Sequence, residues 1–497
     1  MIRNLCIVFL LLPLFSFGQK QSSNFPNVVV VLADDIGLGD LAAYRRMHSD
    51  KIIVETPNLD QLMSEGMSFT DAHSPTALCA PSRYSIMTGN NTYHSYAPWG
   101  VWGSYQETPI KETDMTLGKL MKQAGYQTAF FGKWHMGSDW YRKGSNTEIY
   151  RGPRNRAQLE VDVTHIAGNG PKQQGFDHSL MYPAGIQDVP YAVYENEQWM
   201  PLHEDSKIIE ITQEKVDYLK FKLNKDEGLG DSHWNPFEMG PLLAKKATEF
   251  IAKADKDRPF FMYYCSQAVH KPHTPPSELD GEKINGSTPT HHLDMVKELD
   301  TQMGMLVNAL KEKGVYENTL FIFTSDNGGL NVVSSAKAGH RSSDIYRGSK
   351  NQIYEGGHRV PFIATWPNQV KAKTTSSALL SSTDILATLA ALTHQSLSTE
   401  QGIDSHNFLP ILLQKDNAAP RKTLLLQSGT TRQVAYREGQ WKLIIQFKKD
   451  EKNKAIALFD LSTNPSEEED ENLINKPKYK KRIDRMFQAY HQVRYGK

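Results

Sequence analysis

The chain has 497 residues, and its 56 lysines and arginines are balanced by 56 aspartates and glutamates, so the formal net charge is zero. This balance gives no bulk electrostatic reason to expect nucleic acid or an anionic membrane as a partner, and we predict neither. A hydrophobic fraction of 39% is ordinary for a soluble globular enzyme, and the length allows one large domain with a smaller one beside it.

Residues 1–18 have the organisation of a secretory signal peptide. Arg3 precedes an apolar run of about a dozen residues, and small or polar residues around Gly18 end it. The alternative, a buried or membrane-anchoring helix, is less favoured because the run is short for crossing a bilayer. We therefore expect an exported protein, periplasmic or secreted, without a membrane anchor.

Strand-like and helix-like segments then alternate along the chain. The β-branched run NVVVVLADD is followed by TPNLDQLMSEGMSF, where Leu59, Leu62, Met63 and Met67 have helical spacing. Three further helix-then-strand units end in YQTAFFG, PFFMYYCSQ and TLFIFTSDNGG. This order predicts an α/β fold, with a large mixed, mostly parallel sheet sandwiched by helices.

The alternation ends near residue 395, which predicts two domains after the signal peptide. We assign residues 24–395 to a catalytic domain. Residues 420–497 alternate in strand fashion and end in the helical segment KYKKRIDRMFQAYHQV, which predicts a smaller C-terminal α+β subdomain with a small antiparallel sheet. Residues 140–235 are polar and rich in Gly and Pro, and we expect them to be mostly irregular.

Residue types that carry chemistry follow the predicted strands. Ligands bind at the carboxyl ends of the strands in such sheets. Seven side chains occupy this position: Asp34, Asp35, Lys133, His135, His270, Asp326 and Asn327. Their shared placement is the strongest pattern in the sequence.

The acidic and amide members of this set favour a metal ion. Converging carboxylates repel each other and need a cation, and an all-oxygen set favours a hard ion, calcium or magnesium. Each pair taken alone is a weak signal, since Asp and Asn also begin turns and cap helices.

The basic members favour an anionic substrate. Lys133, Lys350 and Arg83 could surround a tetrahedral oxyanion such as sulfate or phosphate, and His135 and His270 could move protons near neutral pH. Each of these residues alone could equally be a surface cation or a structural histidine.

Only Cys79 and Cys265 follow the signal peptide. Cys265, within the strand-like FFMYYCS, is expected to be an inert buried thiol. Cys79 lies in ALCAPSRYSIMTG, a segment that fits the Cys-x-Pro-Ser-Arg signature of the type I sulfatases. GYQTAFFGKWH resembles the second signature of that family, except that Phe131 replaces the usual smaller aliphatic residue. The resemblance extends from about residue 25 to the end of the chain.

The resemblance implies a chemistry for these residues. Cys79 is expected to be oxidised to formylglycine (3-oxoalanine) by a formylglycine-generating or sulfatase-maturating enzyme and then hydrated to a diol. One calcium ion would be bound by Asp34, Asp35, Asp326, Asn327 and the oxygen at position 79. Arg83 would orient the diol, Lys133 and Lys350 would bind sulfate, His270 would protonate the leaving alcohol, and His135 would accept a proton from the second hydroxyl.

The family belongs to the alkaline phosphatase superfamily, which leaves alternatives. A phosphodiester or phosphonate hydrolase is one, although phosphatases of this superfamily generally carry serine or threonine and two zinc ions. An inactive sulfated-glycan-binding protein is another.

The expected substrate is a sulfated polysaccharide or oligosaccharide, algal or glycosaminoglycan-like. The basic and aromatic segment 139–156 could contact it. Candidate substrate-binding residues are His94, Arg142, His273, His340 and Arg341, for each of which a purely structural role is the alternative.

Overall fold

The computed structural model describes residues 25–152, 158–447 and 453–496. The predicted signal peptide and residues 153–157 of the basic segment lie outside these ranges. The strands are, in chain order, β1 (Asn27–Ala33), β2 (Met67–Phe69), β3 (Ala72–His73), β4 (Gln127–Lys133), β5 (Trp140–Tyr141), β6 (Ile149–Tyr150), β7 (His178–Ile186), β8 (Val193–Glu195), β9 (Gln198–Met200), β10 (Ile208–Ile211), β11 (Gly228–Asp231), β12 (Phe260–Cys265), β13 (Glu278–Leu279), β14 (Glu282–Lys283), β15 (Thr319–Ser325), β16 (Phe362–Thr365), β17 (Thr374–Ser376), β18 (Leu380–Ser381), β19 (Thr423–Gln427), β20 (Gln433–Glu438), β21 (Trp441–Gln446) and β22 (Lys454–Asp460).

Helices separate many of these strands. They are α1 (Ala42–Arg45), α2 (Pro57–Glu65), α3 (Cys79–Thr88), α4 (Leu117–Gln123), α5 (Gln213–Val216), α6 (Met239–Lys253), α7 (His291–Glu312), α8 (Val333–Lys337), α9 (Glu355–His358), α10 (Ile385–Leu392), α11 (Leu409–Leu412) and α12 (Lys480–Tyr495). Among the residues described, no helix combines the length and the apolar character needed to cross a membrane.

Ten strands form one large sheet in the order β17-β2-β16-β15-β1-β12-β4-β7-β8-β9. Its centre, from β15 to β7, is parallel, whereas β16 and β8 run antiparallel to their inner neighbours. Strand β1 lies in the middle and its residues from Val28 to Ala33 are fully buried, which explains why its sequence is an uninterrupted apolar run. The predicted α/β fold with a large, mostly parallel sheet is confirmed.

The structure adds to one local expectation and corrects another. Residues 140–235 are mostly irregular, as expected, but they also contain β7, a nine-residue member of the large sheet, and six shorter strands. Strand β7 has no β-branched run, and Pro183 and Gly185 interrupt its apolar pattern, so its sequence does not resemble a strand. The expectation that Met67 shares a helix with Leu59 was wrong, because α2 ends at Glu65 and Met67 begins β2.

The C-terminal region forms a four-stranded antiparallel sheet, β19-β20-β21-β22, covered by α12. One face packs Leu443 and Leu458 against Met486 and Tyr490 of α12. The other face packs against residues of the preceding region, including Ile353. On this side the buried Lys442 lies 3.0 Å from Glu355 and 2.8 Å from Glu467, joining the two parts of the molecule through a buried ion pair network.

Candidate active site

Four oxygen-bearing side chains meet at the carboxyl ends of β1 and β15. Ala33 and Ser325 are paired across these parallel strands, so the residues that follow them emerge side by side. The carboxylates of Asp34, Asp35 and Asp326 offer oxygens that all lie within 4.8 Å of one another. Asn327 Nδ2 donates to Asp35 Oδ1 over 2.8 Å, which places its amide in the same cluster.

Burial makes this cluster electrostatically costly. Burial and the neighbouring charge of Asp34 raise the pKa of Asp326 to about 7. Burial also raises the pKa of Asp35, where the charge of Asp34 adds to the effect. For Asp34 burial works in the same direction, but the attraction of Lys133 and other nearby positive groups outweighs it and lowers the pKa. A cation bound among these carboxylates would offset their mutual repulsion.

Three basic side chains contact these acids. Lys133 Nζ lies 2.5 Å from Asp34 Oδ2, and Lys350 Nζ lies 2.6 Å from Asp35 Oδ1. Arg83 donates to Asp326 Oδ2 through Nε at 3.0 Å and Nη2 at 2.7 Å, and through Nη1 to the carbonyl of Lys133 at 2.9 Å. Arg83 therefore fixes both a predicted metal ligand and the backbone of a predicted sulfate-binding lysine.

The donor set fits calcium. Asp34 Oδ1 and Asn327 Oδ1 are buried and accept no hydrogen bond from any residue within the described part of the chain, so each offers a lone pair. All the candidate ligand atoms are oxygens, which is the chemistry that hard cations prefer. The predicted ligands Asp34, Asp35, Asp326 and Asn327 are thus brought together, with two of them presenting unused oxygens.

Cys79 is the first residue of α3 and is buried beside this cluster of charges. Its sulfur lies 3.5 Å from Nδ1 of His135. The N-terminus of a helix carries a partial positive charge, which favours negative charge developing at this position. Arg83 follows one turn later in the same helix, so the Cys-x-Pro-Ser-Arg spacing directs both side chains towards one site.

A glycine places Lys133 and His135. Gly132 has φ +101°, and a Cβ on it would lie 2.0 Å from the carbonyl oxygen of Cys265 on β12. Only glycine therefore permits this approach of β4 to β12. Asp35 and His135 also have positive φ, 64° and 55°, at the points where β1 and β4 give way to loops. The unusual Phe131 packs its ring against His178 and Phe250 and leaves the pairing of β4 with both neighbours intact.

His270 lies on the loop after β12, with Nε2 3.9 Å from Asp35 Oδ2. Its Nδ1 is 2.7 Å from the carbonyl oxygen of Lys271, and because a carbonyl only accepts, Nδ1 carries the hydrogen. Burial, together with Lys350 and Lys133, lowers the pKa of His270 well below its usual value. In the neutral ring, Nε2 therefore presents a lone pair towards the acidic cluster.

The loop carrying Lys350 is fixed by backbone hydrogen bonds that also involve the C-terminal sheet. Asn351 N donates to Ala77 O over 2.6 Å, and Ala77 N donates to Gln427 O over 2.7 Å. Gly429 N donates in turn to Asn351 O. The end of β19 therefore braces both the segment before Cys79 and the segment after Lys350.

Two of the five candidate substrate-binding residues, the partly buried His273 and the buried His340, flank the buried His292. The ring centroid of His273 lies 5.1 Å from that of His292, which is 6.3 Å from that of His340. His340 Nε2 is 2.7 Å from Asp40 Oδ1. Arg341 is exposed and lines a cavity of about 540 Å³ together with His340. A role for these residues in substrate binding stays a prediction.

The other two candidates contact acids away from the cluster. His94 Nε2 is 3.2 Å from Asp404, and Arg142 Nε is 2.6 Å from Glu148 while its guanidinium lies over the ring of Tyr150. Their described contacts do not include the residues around Cys79, and their role in substrate binding also stays a prediction.

Sequence reasoning missed several supporting residues. Ser325 Oγ accepts from Ile36 N and donates to Asn327 O, which holds the loops after β1 and β15 together. Asp40 accepts from Gly37 N and fixes the continuation of the same loop. The polar residues TSDN at the end of β15 are a sequence signal that could have identified Ser325. The sequence HHLDM around His292 contains no comparable signal.

Comparisons with known proteins agree with this geometry. The Sulfatase family matches residues 26–395, and the C-terminal region of N-sulphoglucosamine sulphohydrolase matches residues 348–495. An N-acetylgalactosamine-6-O-sulfatase of Bacteroides thetaiotaomicron is 30% identical over 493 residues, covering 90% of this chain and 89% of the relative. The human N-acetylgalactosamine-6-sulfatase is 28% identical, covering 80% of this chain and 67% of the relative. A solved structure from work on glycosaminoglycan metabolism by Bacteroides thetaiotaomicron has a TM-score of 0.79 at 28% identity, covering 95% of this chain and all of that one.

Proposed function

Because the chain belongs to the sulfatase family, whose members hydrolyse sulfate esters, we propose that it removes sulfate from a glycan through a formylglycine at position 79 and one calcium ion. The observation that carries this proposal is the meeting of Cys79, three basic side chains and four oxygen-bearing side chains at the carboxyl ends of the central strands. The cysteine also argues against a two-zinc phosphatase of the same superfamily, since those enzymes generally carry serine or threonine, whereas the phosphodiester or phosphonate hydrolase alternative is left to the test below.

Each group would have a distinct task. Asp34, Asp35, Asp326 and Asn327 would hold calcium, which would offset negative charge on the sulfate. A hydrated formylglycine at position 79 would supply the nucleophilic hydroxyl. Lys133, at the end of β4, and Lys350, on a loop, contact Asp34 and Asp35, and their ammonium groups would bind sulfate oxygens and stabilise charge in the transition state. Arg83, bonded to Asp326 and to the backbone of Lys133, would hold these parts in register.

His135 and His270 would each transfer a proton, at different steps of the reaction. His135, 3.5 Å from the sulfur of Cys79, is within reach of a proton on a hydroxyl at that position. His270 directs Nε2 towards the cluster, where it would protonate the leaving alcohol. The basic side chains lower the pKa of His270, and a bound sulfate anion would act in the opposite direction, so substrate binding would itself favour the protonated ring.

The substrate class is supported by the relatives. Two of them are named for 6-sulfated N-acetylgalactosamine, and one spans nearly the whole chain. We therefore propose a glycosaminoglycan-type glycan bearing 6-O-sulfated N-acetylgalactosamine as the first substrate to test. The signal-peptide-like N-terminus supports export, so the protein would meet this glycan outside the cytoplasm, after a maturating enzyme has converted Cys79.

The test is sulfate release from a panel of singly sulfated disaccharides by protein co-expressed with a sulfatase-maturating enzyme. We expect release from at least one sulfated disaccharide, with the 6-O-sulfated N-acetylgalactosamine unit the fastest. Matched phosphate esters should react more slowly. Faster phosphate release would favour the hydrolase alternative, and no release by a protein whose Cys79 is converted would favour the binding protein.

A further inference from the structure

A second cluster of metal-ligand side chains lies at the protein surface, formed by His203, Asp205 and His233. His203 Nδ1 is 2.5 Å and His233 Nε2 is 2.7 Å from the same oxygen, Asp205 Oδ1. The two imidazole rings are stacked, with centroids 4.8 Å apart and planes inclined by 30°. All three side chains are exposed, and their ligand atoms lie within 4.8 Å of one another.

The cluster closes a hairpin. His203 and Asp205 precede β10, and His233 follows β11, its antiparallel partner. The backbone of Lys207 is bonded to Ser232 at the open end of the hairpin, so the two chain segments run side by side there. A ligand that bound all three side chains would therefore connect residues 203–205 to residue 233 at the open end of the hairpin.

A buried carboxylate holds the cluster in place. Asp231 Oδ1 accepts from Ser206 Oγ and from the backbone N–H of His233, both over 2.8 Å. Its Oδ2 accepts from Trp199 Nε1 and Leu202 N, both over 3.1 Å. Asp231 thus fixes the backbone next to His203 and at His233. In metal sites, hydrogen bonds around the ligands hold them in position in a comparable way.

We propose that His203, Asp205 and His233 bind a divalent transition metal of the zinc class, separately from the calcium site. Two imidazole nitrogens and one carboxylate oxygen are a zinc-type donor set, whereas calcium and magnesium prefer oxygen alone. Without an ion, these two ring nitrogens donate to Asp205, because a carboxylate only accepts. Metal binding would move each ring hydrogen to the nitrogen facing away from Asp205, which frees a lone pair for the ion. Water would complete the coordination at this exposed position, and the bound ion would stabilise the hairpin by mass action.

The test uses the full-length mature protein with any affinity tag removed and with calcium present in excess to fill the acidic cluster. Isothermal titration with ZnCl₂ should give a saturable site, and the melting temperature should rise with zinc but not with magnesium. His203→Ala and His233→Ala should each weaken zinc binding at least about tenfold and abolish the zinc-dependent rise. His165→Ala is the matched control, because His165 is partly exposed and lies 3.9 Å from Asp162, and no second histidine joins this pair among the residues that the structure describes.

The proposal is overturned if the intact protein takes up no zinc at millimolar concentration, or if the two variants bind zinc as tightly as the control. Should either alanine variant lose its circular dichroism signal, His203→Gln and Asp205→Asn test the same site with smaller changes. These variants should leave sulfate release intact, because the described contacts of His203, Asp205 and His233 include none of the residues around Cys79.

Discussion

The sulfur of Cys79 lies 3.5 Å from Nδ1 of His135, although 56 positions separate the two residues in the chain. The contact joins the N-terminus of α3 to the loop after β4. It places an imidazole beside the one side chain that the proposed chemistry requires to be converted, and it makes the identity of residue 79 the first property to test.

Cys79→Ala should reduce sulfate release by at least about a thousandfold, because it removes the group from which the nucleophile is formed. In the unsubstituted protein, the tryptic peptide containing position 79 should be about 18 Da lighter than its sequence mass, the difference between a thiol and an aldehyde. Cys265→Ala is the control and should retain both conversion and activity. Substantial activity in Cys79→Ala would contradict the proposal.

Asp326→Asn should weaken calcium binding, because it removes one negative charge from the four oxygen ligands and the ion-pair partner of Arg83. We expect a fall in affinity of at least about tenfold, measured by calorimetric titration of chelator-treated protein. Asp484→Asn changes an exposed acid on α12 and should bind calcium normally. Equal affinities of the two variants would exclude Asp326 as a ligand.

His270→Ala should reduce activity more for a sugar sulfate than for an aryl sulfate. A sugar alcohol is a poor leaving group and needs protonation, which contributes about 10²- to 10⁴-fold, whereas a nitrophenolate leaves without it. The measurement is kcat/KM of the variant and the parent on both substrates. Equal losses on the two substrates would assign His270 a role other than proton donation.

Glu298→Gln should change how stability depends on pH. Glu298 is buried on α7, where burial raises its pKa to about 8 despite hydrogen bonds from Gln267 and Gln302. The folded state therefore keeps a proton that the unfolded chain loses, so this contribution is complete below about pH 4.5 and is lost as pH rises to about 8. The melting temperature of the variant minus that of the parent should therefore increase from pH 5 to pH 8. A difference that stays constant over this range would contradict the raised pKa of Glu298.

Lys442→Ala should destabilise the protein by about 3–5 kcal/mol, because it leaves the buried carboxylates of Glu355 and Glu467 without their shared cation. Lys480→Ala, which removes an exposed ion pair with Asp484, should cost no more than about 1 kcal/mol. Thermal unfolding of both variants gives the comparison. Similar melting temperatures would show that the buried network contributes little.

The central strands and the residues after them could be predicted because a strand buried on both faces has an unmistakable apolar run, and its end is marked by the first charges. Strand β7 could not, since its pairing with β4 depends on long-range contacts and its own sequence includes Pro183. The contacts of His94 and Arg142 could not be predicted from the sequence either. Asp404, which His94 contacts, is remote in sequence, and nothing in the sequence around an exposed arginine indicates which acid it will contact. His292 joins its neighbours only through the packing of α7.

The backbone hydrogen bonds that Ala77 donates to Gln427 and that Gly429 donates to Asn351 have a consequence for protein engineering. The segment before Cys79 is held by backbone hydrogen bonds to segments distant in sequence, including the first strand of the C-terminal sheet. A chimera that exchanged this sheet with that of a relative would also reposition the peptide two residues before Cys79. Exchange of the C-terminal part should therefore alter turnover as well as solubility, and the two regions have to be inherited or redesigned together.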